Sequence, residues 1–176
     1  MSAPPPGEGA LLGEGAGDVA AGEEVPSAEA AARTCVLFVD DDPLAEMTLR
    51  RALRRLRVEP PLWIARDGLE ALEVLRSPSF PLERCVVLLD LNMPRMDGHE
   101  LLREVRADPH LSRVPVVVMT TSDDPRDVRD AYASGALGYF VKPVSFTELV
   151  RHVGAVLEYW SRAALPPAKA RSGTLR

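Results

Sequence analysis

Cys85–Pro94 reads CVVLLDLNMP, and in it the apolar run Val86–Leu89 meets a lone aspartate, Asp90. The same oddity occurs in Cys35–Pro43, CVLFVDDDP, where an apolar run ends on Asp40, Asp41 and Asp42. A third run, Leu137–Pro143, LGYFVKP, ends on Lys142. A segment built for burial should not close on a charge, because an unpaired buried charge is costly. The conflict disappears if the three runs are parallel neighbours in one sheet. Their charged ends then meet at one edge.

The rest of the chain supports that arrangement. Apolar runs and helical patterns alternate from Cys35 onward. Strand Val36–Val39 precedes helix Leu44–Leu56, and strand Leu62–Ala65 precedes helix Leu69–Leu75. Strand Val86–Leu89 precedes helix Gly98–Val105, and strand Pro115–Met119 precedes helix Pro125–Ser134. Strand Leu137–Val141 precedes a long helix from Phe146 to about Ala163. Asp42 before Pro43 marks a helix N-cap with proline in the first turn. Asp97-Gly98 opens the third helix, Pro109 closes it, and Ser134-Gly135 ends the fourth. Strict strand–helix alternation implies a doubly wound parallel sheet covered on both faces, of α/β class.

Composition bounds the function. The chain has 176 residues, room for one domain with a real core. No apolar run approaches the ~20 residues of a membrane span. The start, MSAPPPGEGALLGEGAG, has no basic residue and does not read as a secretory signal, so a cytoplasmic address is expected. Residues 1–33 are rich in Ala, Gly, Pro and Glu without a sustained period, and are expected to form a disordered arm. Six acids against Arg33 in that arm account for the chain's whole formal charge of -5. Residues 34–163 then form the domain, and 164–176 a basic, solvated tail. No broad basic face argues for nucleic acid. Cys35 and Cys85 fit no metal spacing and read as buried reduced thiols on adjacent strands. His99, His110 and His152 lack ligand spacing and read as surface residues. Trp63 is expected to pack at strand 2.

Ligands of such sheets bind beyond the carboxyl ends of the strands. Strand 1 delivers Asp40 and Asp41 there, strand 3 Asp90, strand 4 Thr120 and strand 5 Lys142. Crowded carboxylates repel, and a hard divalent cation relieves them. Mg²⁺ takes oxygen ligands octahedrally, here from Asp41, Asp90 and the backbone carbonyl of Asn92, with Asp40 orienting a bound water. Mg²⁺ and Lys142 together neutralise a phosphoryl group in transfer, Thr120 donates its hydroxyl, and Asp90 is the nucleophile. No GxxxxGK[ST] loop is present, which disfavours nucleotide binding.

These motifs resemble the receiver domain of bacterial two-component response regulators over Cys35–Trp160. FVDDDP is similar to its acidic pocket, LLDLNMPRMDG to its phosphorylation motif, VVVMTTS to its switch-threonine strand and YFVKP to its lysine–proline motif. The resemblance implies a flavodoxin-like fold, five strands in the order 2-1-3-4-5 with five helices. It implies that Asp90 accepts phosphate from a sensor histidine kinase and that Tyr139 is the aromatic rotamer partner of Thr120. It implies a cis bond between Lys142 and Pro143. The stretch from Asp90 to Val144, and the ending VLEYWSRAALPP, resemble single-domain regulators paired with phytochrome-type kinases. Thr121 stands where the family often has a smaller residue. Too little chain follows Trp160 for an output domain, so a stand-alone module acting by partner binding or phosphorelay is expected.

Two rival functions fit less well. An aspartyl phosphatase usually needs an acid two residues after the nucleophile, where this chain has Asn92. An interaction domain that is never phosphorylated leaves Asp90, Thr120 and Lys142 without purpose. In the last helix, Phe146, Leu149, Val150, Val153, Leu157 and Trp160 form the stripe expected to face the sheet. Val156, Tyr159 and Ala163 add a second apolar stripe, extended by Leu165. Either the arm or tail covers it, or, as the resemblance favours, it forms a symmetric homodimer. Leu137-Gly138 stands where DNA-binding members of the family often carry an acid pair, so their salt-bridged dimer is not expected; direct nucleic-acid binding is not expected either, for want of a broad basic face.

Overall fold

The computed structural model describes residues 34–163. The arm at 1–33, the tail at 164–176 and Leu165 lie outside the described residues. The elements are β1 (Cys35–Val39), α1 (Pro43–Leu56), β2 (Leu62–Ala65), α2 (Gly68–Arg76), β3 (Cys85–Leu89), α3 (Gly98–Ala107), β4 (Val116–Thr120), α4 (Pro125–Ala133), β5 (Gly138–Val141) and α5 (Phe146–Arg162). A short 3-10 turn, Leu82–Arg84, leads into β3. All four strand pairings are parallel, in the order β2-β1-β3-β4-β5.

Strand side chains alternate between faces. Leu37, Val39, Val87, Leu89 and Val118 enter the core under α2, α3 and α4. Val36, Phe38, Leu88, Val117 and Met119 enter the core under α1 and α5. The central strands are therefore apolar on both sides, which is why they read as unbroken runs. Cys35 and Cys85 are register partners and buried free thiols. Trp63 meets Phe80 edge to face, with ring centroids 5.4 Å apart.

Local signals set the helix ends. Asp42 caps α1 by accepting from Leu44 N at 2.8 Å. Asp97 and Glu100 form a reciprocal capping box at the start of α3. Gly135, at φ +89, closes α4 in a left-handed turn in which Ala136 N donates to the Ala131 carbonyl at 2.9 Å.

Three expectations are corrected. The Lys142–Pro143 bond is trans, and no cis peptide occurs among the described residues. Proline narrows the trans preference to about 0.5–1 kcal/mol without reversing it. Val156 is a core residue, 5% exposed, not part of a free stripe. It sits beside Val117, Gly138 and Phe140 of β4 and β5, while the helix side at Gly154 packs on α1 close to Leu56, so the long helix buries two sides instead of one. The three histidines are half-buried, not surface residues. His152 packs on Phe140 at 4.9 Å, and His99 lies 3.7 Å from Asp127. Tyr159 does remain exposed, at 65%, and Ala163 is half-exposed.

Candidate functional site

Register brings the strand ends level. Val39 pairs with Leu89, so Asp40 and Asp90 emerge side by side. Asp90 N donates to the Val39 carbonyl at 2.9 Å, and Asp40 N to the Ala65 carbonyl at 3.0 Å. Thr120 pairs with Val141, and Lys142 N then donates to the Thr120 carbonyl at 2.6 Å. Strands β1, β3, β4 and β5 thus set their functional side chains around one edge.

Asp40, Asp41 and Asp90 each offer a carboxylate oxygen, and these lie within 4.8 Å of one another. Asp40 and Asp90 are buried and Asp41 is exposed. Lys142 Nζ lies 2.8 Å from Asp40 Oδ2 and 2.8 Å from Asp90 Oδ2. Burial pushes the Asp40 carboxyl up, against the opposing pull of Lys142. Burial alone would lower the Lys142 ammonium, but its bonds to Asp40 and Asp90 outweigh it and raise it. One ammonium among three acids leaves surplus negative charge on hard oxygen donors. That donor set fits Mg²⁺ or a similar hard divalent cation.

The buried Thr120 hydroxyl lies 3.5 Å from Asn92 Nδ2. Tyr139 is turned inward, and its hydroxyl donates to the Ser122 carbonyl at 3.0 Å. Thr121 is exposed. The geometry therefore collects Asp40, Asp41, Asp90, Asn92, Thr120 and Lys142 at one edge, with Tyr139 on β5 reaching the loop after β4 through its hydroxyl.

The family profile described as the response regulator receiver domain matches residues 36–154. This chain belongs to that family. As a receiver domain it is a signalling module of a two-component system. It is 39% identical over 130 residues to a probable methanogenesis regulatory protein, FilR2, of Methanothrix harundinacea, covering 71% of this chain and 82% of the relative. It is 32% identical to the response regulator Rcp1 of Synechocystis over 137 residues, covering 76% of this chain and 92% of Rcp1. The structure of Rcp1 in its Mn²⁺-bound form superposes with a TM-score of 0.65 at 31% identity, covering 76% of this chain and 99% of that one. The phosphorylated cyanobacterial phytochrome response regulator RcpA superposes with a TM-score of 0.66 at 33% identity, covering 76% and 99% of the two chains. No helix among the described residues of the receiver domain is long and apolar enough to cross a membrane.

Sequence reasoning missed part of the site. The Asp97-Gly98 pair predicts a helix start and nothing more, yet a Cβ at Gly98 would lie 2.4 Å from the Asp90 carbonyl oxygen and 2.7 Å from Leu91 Cα. The Asp-Gly pair was a legible signal for a turn, but not for this close backbone approach. Ser122, the partner of Tyr139, contributes a carbonyl that any residue would supply, so nothing in the sequence marks it.

Proposed function

We propose that this receiver domain accepts a phosphoryl group on Asp90 from a sensor histidine kinase, with Mg²⁺, and acts as a stand-alone module through partner binding or phosphorelay. The observation that carries this reading is the Asp90 carboxylate beside Lys142 Nζ, at 2.8 Å, within the three-acid cluster. An Asp90 oxygen attacks phosphorus as the P–N bond of a phosphohistidine breaks, and the imidazole leaves with the bonding pair. Lys142 exchanges contact with Asp90 for a phosphoryl oxygen, so its charge follows the charge in transfer. Thr120 donates its hydroxyl to a second phosphoryl oxygen, and Tyr139 follows the shift of Thr120. Asp41, Asp90 and the Asn92 carbonyl would hold Mg²⁺, with Asp40 ordering its water. When bound, the ion supplies positive charge to the phosphoryl oxygens. The Mn²⁺-bound form of Rcp1 supports a divalent ion here.

The protein is a phosphoacceptor in this reading, not an enzyme with a separate substrate. Asn92, where a phosphatase would carry an acid, supports that choice. The likeness to RcpA, a phytochrome response regulator, supports a phytochrome-type kinase as donor. Coverage of 92% of Rcp1 supports a single-domain regulator. Its proposed place is the cytoplasm. The exposed apolar side chains Leu137, Val141 and Tyr159 support a homodimer through β5 and α5, for which Ala163 is a further candidate and Leu165 one on sequence alone.

Intact-mass measurement after incubation with Mg²⁺ and acetyl phosphate tests the proposal. Wild type should gain one phosphoryl group and the folded Asp90→Asn variant none. Full incorporation into the variant, or none into wild type from acetyl phosphate or a phosphorylated kinase, overturns it.

A further inference from the structure

The loop from Leu91 to Asp97 carries Asn92 out of β3 and turns back into α3. It is closed on itself by Gly98 N, which donates to the Leu91 carbonyl at 3.0 Å. In its middle Arg95 takes φ +66, a left-handed conformation that Cβ disfavours by roughly 1–2 kcal/mol. An arginine in that conformation needs contacts that hold it. Its guanidinium pairs with Asp67 Oδ2 and, at 3.0 Å, with Glu70 Oε1.

Those acids are themselves fixed. Asp67 is 1% exposed and caps α2 by accepting from Glu70 N at 3.0 Å. Glu70 accepts from Arg66 N at 2.8 Å through its other oxygen. The next loop residue, Met96, accepts from Gly68 N at 3.1 Å. It also sits so close to Gly68 that a Cβ there would lie 2.5 Å from Met96 Cγ. An ion pair, a backbone hydrogen bond and a tight contact therefore dock this loop on the start of α2. Removing one partner of the pair would leave Asp67 as a buried, uncompensated carboxylate.

We infer that Arg95 and Asp67 are positioning residues, a clamp that holds the β3–α3 loop so that the Asn92 carbonyl stays directed at the metal position. This rests on the assignment of Asn92 as a Mg²⁺ ligand above. Arg95 lies three residues beyond Asn92 and touches no reacting group. Its effect is on the orientation of a peptide plane. A carbonyl ligand has no side-chain rotamer with which to recover its direction, so its accuracy depends on the loop being held. The clamp should therefore govern how tightly Mg²⁺ binds and leave the reaction at saturating Mg²⁺ intact.

The test uses the full chain and MgCl₂ alone as the metal probe. Thermal unfolding and the initial rate of phosphorylation by acetyl phosphate are each followed against Mg²⁺ concentration. Arg95→Ala should raise the half-saturating Mg²⁺ concentration in both by about tenfold, the low end for residues that orient metal ligands. The rate at saturating Mg²⁺ should stay within about twofold of wild type. Arg95→Lys should recover most of the affinity. Adding Asp67→Asn to Arg95→Ala should cost little more, because the two act as one unit. If Arg95→Ala does not fold, Asp67→Asn alone carries the same expectation, since asparagine keeps the oxygen that caps α2. Variants that melt lower at every Mg²⁺ concentration with an unchanged midpoint overturn the clamp and leave the metal site standing. A wild type that ignores Mg²⁺ and takes no phosphoryl group overturns the site assignment, and the clamp with it.

Discussion

Lys142 Nζ and Asp90 Oδ2 lie 2.8 Å apart although 52 positions separate them in the chain. Strand order and register create the contact, because β3 and β5 end at the same edge with β4 between them. The same ammonium reaches Asp40 at 2.8 Å, so one cation bridges the two buried acids. A phosphoryl group added at Asp90 would compete for that cation.

Mg²⁺ should stabilise the folded domain. A ligand that binds only the native state at a hundred times its Kd contributes about 2.7 kcal/mol. Asp41 is the exposed member of the acid cluster, so Asp41→Ala should remove most of the gain with little effect on the metal-free fold. Melting temperature against MgCl₂ checks this, and an unchanged shift in the variant would place the ion elsewhere.

The pH dependence of stability should carry the signature of Asp40. Its folded pKa is raised above the ordinary 3.8, because burial outweighs the contact with Lys142. Between 3.8 and the raised value the folded state holds more protons than the unfolded one. Stability therefore falls as pH rises through that window. Without Mg²⁺, the wild-type stability minus that of Asp40→Asn should decline from pH 3.8 upward and then level off. A rising difference would contradict the burial argument. Lys142 acts at the other limb. Its folded pKa is raised, so its contribution is complete below 10.5 and is lost as pH rises through the folded value.

Gly98→Ala should damage the site from behind. The new Cβ would sit 2.4 Å from the Asp90 carbonyl oxygen, which is backbone and cannot swing away. Either α3 or the Asp90 peptide must shift. A loss of about 1–3 kcal/mol is expected, as for an overpacked core. Phosphorylation by acetyl phosphate should slow even at saturating Mg²⁺. Denaturant unfolding and the rate assay read the two effects, and a variant equal to wild type in both would show that the backbone yields freely.

Tyr159→Glu should give monomers that still accept phosphate. Tyr159 is 65% exposed and leans on Trp160, with ring centroids 4.8 Å apart. A charge there would be desolvated in an apolar interface and would cost little in a monomer. The proposed dimer, being held by apolar contacts, should be only mildly salt-sensitive. Sedimentation at high micromolar concentration decides the point. A wild type that is monomeric with and without phosphate rules the dimer out.

What the amino-acid order determined by itself was local. The runs ending on Asp40, Asp90 and Lys142 are written in adjacent residues, as are the caps at Asp42 and Asp97, because both follow from side-chain type and short-range hydrogen bonding. Their alternation implied a parallel sheet, and a parallel sheet has one edge where such charges gather. Tertiary structure alone decided what depends on how elements sit against each other. Val156 lies inside because α5 sets it beside Val117, Gly138 and Phe140 of β4 and β5. Arg95 meets Asp67 because the β3–α3 loop docks on α2. Gly98 must be glycine because the Asp90 backbone passes behind it. No periodicity records these contacts, since each joins residues whose separation in the chain has no bearing on their distance in space.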